Sequence, residues 1–177
     1  MIGLFLNLLD TQSEKDKFIK LYDKYKNMLY WISYGKTQSC QDAEECVAET
    51  FFYVAKHFEK IGDVNSSKTK GYLATIVTGF SIDVFNKSKK YGLIDIENNN
   101  VAENLSYFDN IETVELSSAI ESVLSEEEKI YIYLKYVYGY KSAEIAEIYN
   151  VTDISVRKKL ERAKAKLKKY FEEETND

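Results

Sequence analysis

At 177 residues the chain has room for one domain or two small ones, since domains commonly run about 50 to 200 residues. Its 45% hydrophobic and 14% aromatic residues suffice for a packed core, and the lack of proline beside only seven glycines leaves long stretches free to be helical, which predicts an all-α chain. A formal charge of −5 excludes a surface that is basic throughout, so any DNA contact must rest on local positive patches, and two cysteines with one histidine exclude a disulfide framework and a Cys/His metal site.

Met1 to Leu9 is apolar but too short to span a bilayer and has no positive flank, so it is expected to cap the first domain or contact a partner. From Ser13 to Tyr34, residues Phe18, Leu21, Tyr22, Tyr25, Met28, Leu29 and Ile32 recur at helical steps, with Ser13 as the expected N-cap and Gly35 as the expected stop. After a polar loop, Lys36 to Ser39, a second helix is predicted from about Gln41 to Lys60. Asp42, Glu44 and Glu45 lie at its positive dipole end, and Ala43, Val47, Phe51, Val54, Ala55 and Phe58 form its apolar stripe. His57 falls at a helix surface or boundary, and Cys40 and Cys46 suit the reduced cytoplasm.

Gly62 to Thr69 reads as a loop, followed by a third helix from about Lys70 to Lys90. Tyr72, Leu73, Ile76, Val77, Phe80, Val84 and Phe85 give this helix a broad apolar face, while Lys87, Lys89 and Lys90 make its end basic. Gly79 in its middle costs about 1 kcal/mol relative to alanine. Residues 92–113 carry Asp95, Glu97, Glu103, Asp109 and Glu112 without a basic residue, and Asn98-Asn99-Asn100 breaks any periodicity. This is an acidic linker. It separates a first helical domain, 1–91, from a second, 114–177.

The second domain begins with a short helix, Val114 to Val123, and a helix from about Ser125 to Tyr138 whose Ser125 and Glu128 fit a capping box. Ile130, Tyr131, Leu134 and Val137 face inward, and Gly139 is the expected left-handed residue after the helix. Gly139 to Lys169 then has the pattern of a helix-turn-helix. Ile145, Ala146 and Ile148 lie inward on a short helix, Asn150-Val151-Thr152 makes the turn, and Val156, Leu160, Ala163 and Leu167 stripe the second helix. Arg157, Lys158, Lys159, Arg162, Lys164, Lys166, Lys168 and Lys169 lie between the stripe positions, so the other side of that helix is a basic band suited to a major groove. Lys141 stands where a capping hydroxyl would help the short helix, so Ser142 is expected to cap one residue later. Glu172 to Asp177 reads as a frayed acidic tail.

This order of parts is similar to the small bacterial sigma factors of the extracytoplasmic-function (ECF) type, within the sigma-70 family. The resemblance covers nearly the whole chain after residue 13 and is strongest at Glu144-Ile145-Ala146, Val151-Thr152 and the run Val156 to Lys164. It implies a region 2-like domain at 1–91 and a region 4-like domain at 114–177. Asp42 to Phe51 resembles the segment that grips the clamp helices of the polymerase β′ subunit, which implies that Asp42, Glu45 and Glu49 contact polymerase, with the β flap as a further partner surface. The third helix resembles the element that opens and reads the −10 region, which implicates Tyr72, Asp83, Asn86 and Lys87; Thr78-Gly79 stands where Arg-Asn is usual, and Ala48 where Gln is usual. For −35 DNA the resemblance and the helix pattern together point to Ser155, Arg157 and Lys158 in the first turns, with Lys159 and Arg162 on phosphates.

The expected function is therefore a cytoplasmic sigma factor that binds core RNA polymerase and directs it to promoter DNA, with no cofactor or metal. The resemblance admits an anti-sigma protein as another partner. No Gly-rich phosphate loop or paired nucleophile and base is present, so an enzyme is not expected. Two other classes compete: a free-standing helix-turn-helix regulator, and an interaction protein that occupies polymerase without reading promoters.

Overall fold

The computed structural model describes residues 2–90 and 114–174 of the chain. Every regular element among them is helical. The chain divides into two compact units, 1–99 and 100–177, and the expected acidic linker lies outside the described residues.

The first unit contains α1 (Ile2–Leu6), α2 (Gln12–Thr37), α3 (Cys40–Lys56), a 3₁₀ turn (Phe58–Lys60) and α4 (Ser67–Lys90). Its core is aromatic: Phe18 and Phe51 are fully buried with ring centroids 6.0 Å apart, and Phe5 and Phe58 lie 5.9 and 5.8 Å from Phe18. Those rings join α1, α2, α3 and the 3₁₀ turn, so the apolar start of the chain packs on its own unit through Phe5 and Leu9. Leu4, by contrast, is 71% exposed. Between α2, α3 and α4 the side chains become small and polar. The Ser81 hydroxyl donates to Ser33 Oγ at 2.8 Å, and burial pushes the neighbouring Cys46 thiol up, which keeps it protonated and inert.

Helix ends differ from the sequence expectation in instructive ways. The N-cap of α2 is Thr11, not Ser13. Thr11 forms a reciprocal capping box with Glu14, which satisfies two backbone donors, and this outcompetes a Ser13 start that would leave them open. Gly35 does not stop the helix; Gln38 does, in left-handed conformation with φ 54°. The turn to α3 is thus short, and Ser39 caps α3 by accepting from Asp42 N–H at 3.2 Å. The α-helix ends at Lys56, where His57 Nδ1 lies 2.9 Å from the Tyr53 carbonyl. Ser66 caps α4 three residues earlier than expected, accepting from Thr69 N–H, and the loop before it is pinned to α2 by the Tyr25 hydroxyl donating to the Val64 carbonyl at 2.7 Å.

The second unit contains α5 (Val114–Val123), α6 (Glu126–Ile132), a π-type turn (Tyr133–Val137), α7 (Ser142–Tyr149) and α8 (Asp153–Glu174). The Ser125 and Glu128 capping box is formed, and Gly139 is left-handed at φ 68°, both as expected. The helix before Gly139 widens over its last turn, with Tyr138 N–H donating to the Tyr133 carbonyl at 3.0 Å. Lys141 remains the N-cap residue of α7, because its backbone N–H is taken by Glu144 at 2.6 Å without any help from a hydroxyl. Asn150 makes the left-handed turn at φ 53°, and Val156, Leu160 and Ala163 bury the inner face of α8. The acidic residues near the end of α8 are part of the helix, where Glu172 and Glu173 pair with Lys168 and Lys169 at 3.6 Å.

Candidate polymerase and DNA interfaces

Three surfaces carry the residues singled out from the sequence. On α3, Asp42, Glu45 and Glu49 follow at i, i+3 and i+7, so they share one face, bordered by the buried Cys46 and turned away from the buried Val47 and Val54. Asp42 is half-buried, while Glu45 and Glu49 are exposed, and no cation among the described residues lies within ion-pair distance of any of the three. The result is an acidic face that is not neutralised internally. Phe52 extends it, 38% exposed, with Lys56 Nζ 4.1 Å from its ring centroid. Sequence reading passed over Phe52. The doublet Phe51-Phe52 held the signal, since adjacent helical residues cannot both face one core and the stripe of Val47 and Val54 claims Phe51.

On α4, Gly79, Asp83, Asn86 and Lys90 succeed one another at steps of four, three and four, with Lys87 beside them, and all are exposed. Tyr72 belongs to the same side of the helix but is differently placed. Its hydroxyl is buried, and burial, then the nearby Tyr53 and Glu59, raise its pKa. The phenol therefore turns into the unit, and only the half-buried ring edge is available to a partner. The broad apolar face expected of this helix is also narrower than its composition suggested. Only Thr69, Leu73, Ala74, Val77 and Ser81 are buried, whereas Phe80 and Val84 are half-buried and Ile82 and Phe85 are exposed. Beyond Ser81 no α4 side chain is fully buried, Val84 and Ser88 are half-buried, and Lys87, Lys89 and Lys90 at the basic end are exposed.

The helix-turn-helix is set by α7, the Asn150 turn and Thr152, whose hydroxyl accepts from Ser155 N–H at 3.2 Å and so fixes the first turn of α8. Ser155 is half-buried, and Arg157, Lys158 and Arg162 are exposed. The basic band, however, is largely answered by carboxylates. Arg157 is paired with Asp153 at 2.6 Å, Lys166 with Glu128 at 2.8 Å, and Lys159 with Glu127, while Lys164 lies 5.2 Å from the Tyr136 ring centroid. Lys159 also sits 5.4 Å from the Tyr131 ring centroid and is half-buried. Lys159, expected on phosphate, here ties α8 to α6. Lys158 and Arg162 have no carboxylate partner among the described residues. An exposed i, i+4 pair such as Asp153 and Arg157 is worth only about 0.3 to 0.5 kcal/mol, so Arg157 can exchange it for another partner at little cost.

Residues 21–91 match Sigma-70 region 2, and residues 115–167 match Sigma-70, region 4. Together the two matches cover most of both described units. Across 173 residues, 90% of this chain and 91% of its relative, the sequence is 25% identical to the ECF RNA polymerase sigma factor SigW of Bacillus subtilis (strain 168). The chain belongs to the sigma-70 family and is of the ECF type. As a sigma factor it directs promoter-specific transcription initiation, and it acts through binding surfaces. The two region matches and the sigma-factor relative together decide against the free-standing regulator, which would use the first domain for dimerisation and not as a sigma region 2. Core RNA polymerase and promoter DNA are the partners that go with the family. Among the described residues no helix is long and apolar enough to cross a membrane.

Proposed function

We propose a division of labour between the two units. Asp42, Glu45, Glu49 and the exposed Phe52 on α3 hold the clamp helices of the polymerase β′ subunit. The Asp83, Asn86 and Lys87 face of α4 meets the −10 element, with the Tyr72 ring edge beside it. The second unit, seated near the β flap, presents the first turns of α8 to the −35 element, where Ser155, Arg157 and Lys158 face base edges and Arg162 anchors phosphate. Lys159 reaches DNA only by leaving Glu127, so its first role is to position α8. The setting is the cytoplasm, where polymerase works, and an anti-sigma protein is a further partner of these same surfaces.

The observation that carries this reading is the pattern of charge left without internal partners. Most cations of α8 are paired within the unit, yet Lys158 and Arg162 are not, and on α3 the three carboxylates are not. Each uncompensated surface has the sign its proposed partner requires. With a net charge of −5 and so few free cations on α8, affinity for DNA alone is low and falls steeply with salt, so promoter binding depends on the polymerase.

Transcription in vitro with purified core polymerase and a genomic library of upstream fragments tests this division of labour. The expected result is transcripts from a small set of fragments that share both −10 and −35 elements. Transcripts whose fragments share only one of the two elements would overturn it.

A further inference from the structure

The first turn of α8 carries a feature that the charge pattern does not use. Ile154 is 60% exposed, the most exposed large apolar side chain described in the second unit, and it follows Val151, itself 39% exposed, at the mouth of the turn. Helical spacing puts Ile154 on the outward face of α8 with Lys158, Glu161, Arg162 and Ala165, opposite the buried Val156, Leu160 and Ala163. Every other member of that outward group is charged or small. Ile154 therefore contributes nothing to the core of the unit, and as a β-branched residue it is a poorer helix former than the lysines and glutamates around it.

Position gives it a use. In a recognition helix the N-terminal residues approach base edges, and the major-groove edge of an A·T pair presents one apolar group, the C5-methyl of thymine. Ile154 precedes Ser155, and Thr152 fixes the backbone there by capping the Ser155 N–H at 3.2 Å. The side chain is stiff at χ1, so it reaches a partner without the loss of rotamer freedom that a lysine or arginine incurs. We infer that Ile154 is a specificity-determining residue that reads the methyl group of a thymine in the −35 element. The inference rests on the proposed placement of α8 in the −35 major groove.

Uracil lacks only that methyl, which makes it the probe. The polymerase holoenzyme carrying the full chain is titrated onto promoter DNA in which each −35 thymine, on either strand, is replaced singly by uracil. The expected result is a loss of roughly fourfold at one position, the factor that burial of one methyl group provides at about 0.8 kcal/mol. I154S, at an exposed position that leaves the core untouched, should lose the same factor on the unmodified promoter and become indifferent to uracil there. Equal affinity for every uracil-substituted promoter, or undiminished uracil sensitivity in I154S, would overturn the assignment while leaving promoter binding intact. Absence of any specific complex on unmodified DNA is the distinct result that would overturn the placement of α8 and the role of Ile154 with it.

Discussion

Replacing Gly79 with alanine should stabilise the first unit, although the residue lies in the middle of a helix that bears one of the proposed contacts. The backbone at Gly79 is helical, and positive φ among the described glycines is confined to Gly139. A Cβ built at Gly79 meets nothing within 4 Å, and the position is exposed, so no packing or close approach within the unit requires glycine. The glycine then carries only its entropic cost, about 0.5 to 1 kcal/mol relative to alanine in a helix interior. For a unit of this size each kcal/mol corresponds to roughly 4 to 8 °C in Tm. The chain supplies its own reporter. Trp31 is the single tryptophan and is fully buried in the first unit, so its fluorescence follows that unit and is blind to the second. Thermal unfolding of the full-length G79A protein should show the Trp31 transition raised by several degrees. A transition that is unchanged or lowered would refute the reasoning, because it would mean that the helix around residue 79 is strained or occupied.

Charge reversal at Glu45 and Glu49 together should weaken core polymerase binding by about tenfold or more, with the Trp31 transition unmoved, since both side chains are exposed and unpaired; binding by fluorescence polarisation checks it. R162A should reduce the salt dependence of promoter binding by about one in the log–log slope and leave stability within about 0.5 kcal/mol, whereas K159A should lower the stability of the second unit by up to about 1 kcal/mol through loss of the Glu127 pair and the Tyr131 contact. Glu128 predicts a pH dependence. Burial alone would raise its pKa, but the hydrogen bond from Lys166 and those with Ser125 outweigh burial and hold it below the ordinary 4.5. A carboxylate whose folded pKa is depressed contributes stability above its unfolded pKa, and that contribution is lost as pH falls through the folded one. The protection factors of α6 and α8 amides, corrected for the intrinsic exchange rate at each pH, should therefore fall more steeply below about pH 4.5 in the wild type than in E128Q.

The parts of the fold legible in the sequence were those fixed by local rules. The Val156, Leu160 and Ala163 stripe, the Asn150 turn, the Gly139 stop and the Ser125 capping box each depend on residues within one or two turns of one another. The start of α2 was misplaced because Thr11/Glu14 and Ser13/Asp16 are overlapping candidates, and only a reciprocal pair of bonds distinguishes them. The face of α4 was drawn too wide because apolar residues occur on most sides of that helix, and periodicity cannot say that packing ceases at Ser81. The pairing of Lys159 was hidden for a different reason. Its partner Glu127 lies 32 residues away on another helix, so the neutralisation of the basic band is a tertiary fact with no trace in the pattern of α8. The proposed site residues rest mostly on family resemblance. Phe52 and Ile154 are apolar residues outside the core; the Phe51-Phe52 doublet carries a signal for the first, whereas only exposure reveals the second.

In the proposed division of labour one chain holds promoter DNA at two separate elements while bound to polymerase. Photocrosslinking tests it most directly, with a benzophenone amino acid placed at Asn86 in one protein and at Lys158 in another. In the holoenzyme–promoter complex, crosslinks are expected near −10 from position 86 and near −35 from position 158, and only weak ones without core polymerase. Crosslinks from both positions to the same element, or from neither in the presence of polymerase, would contradict it.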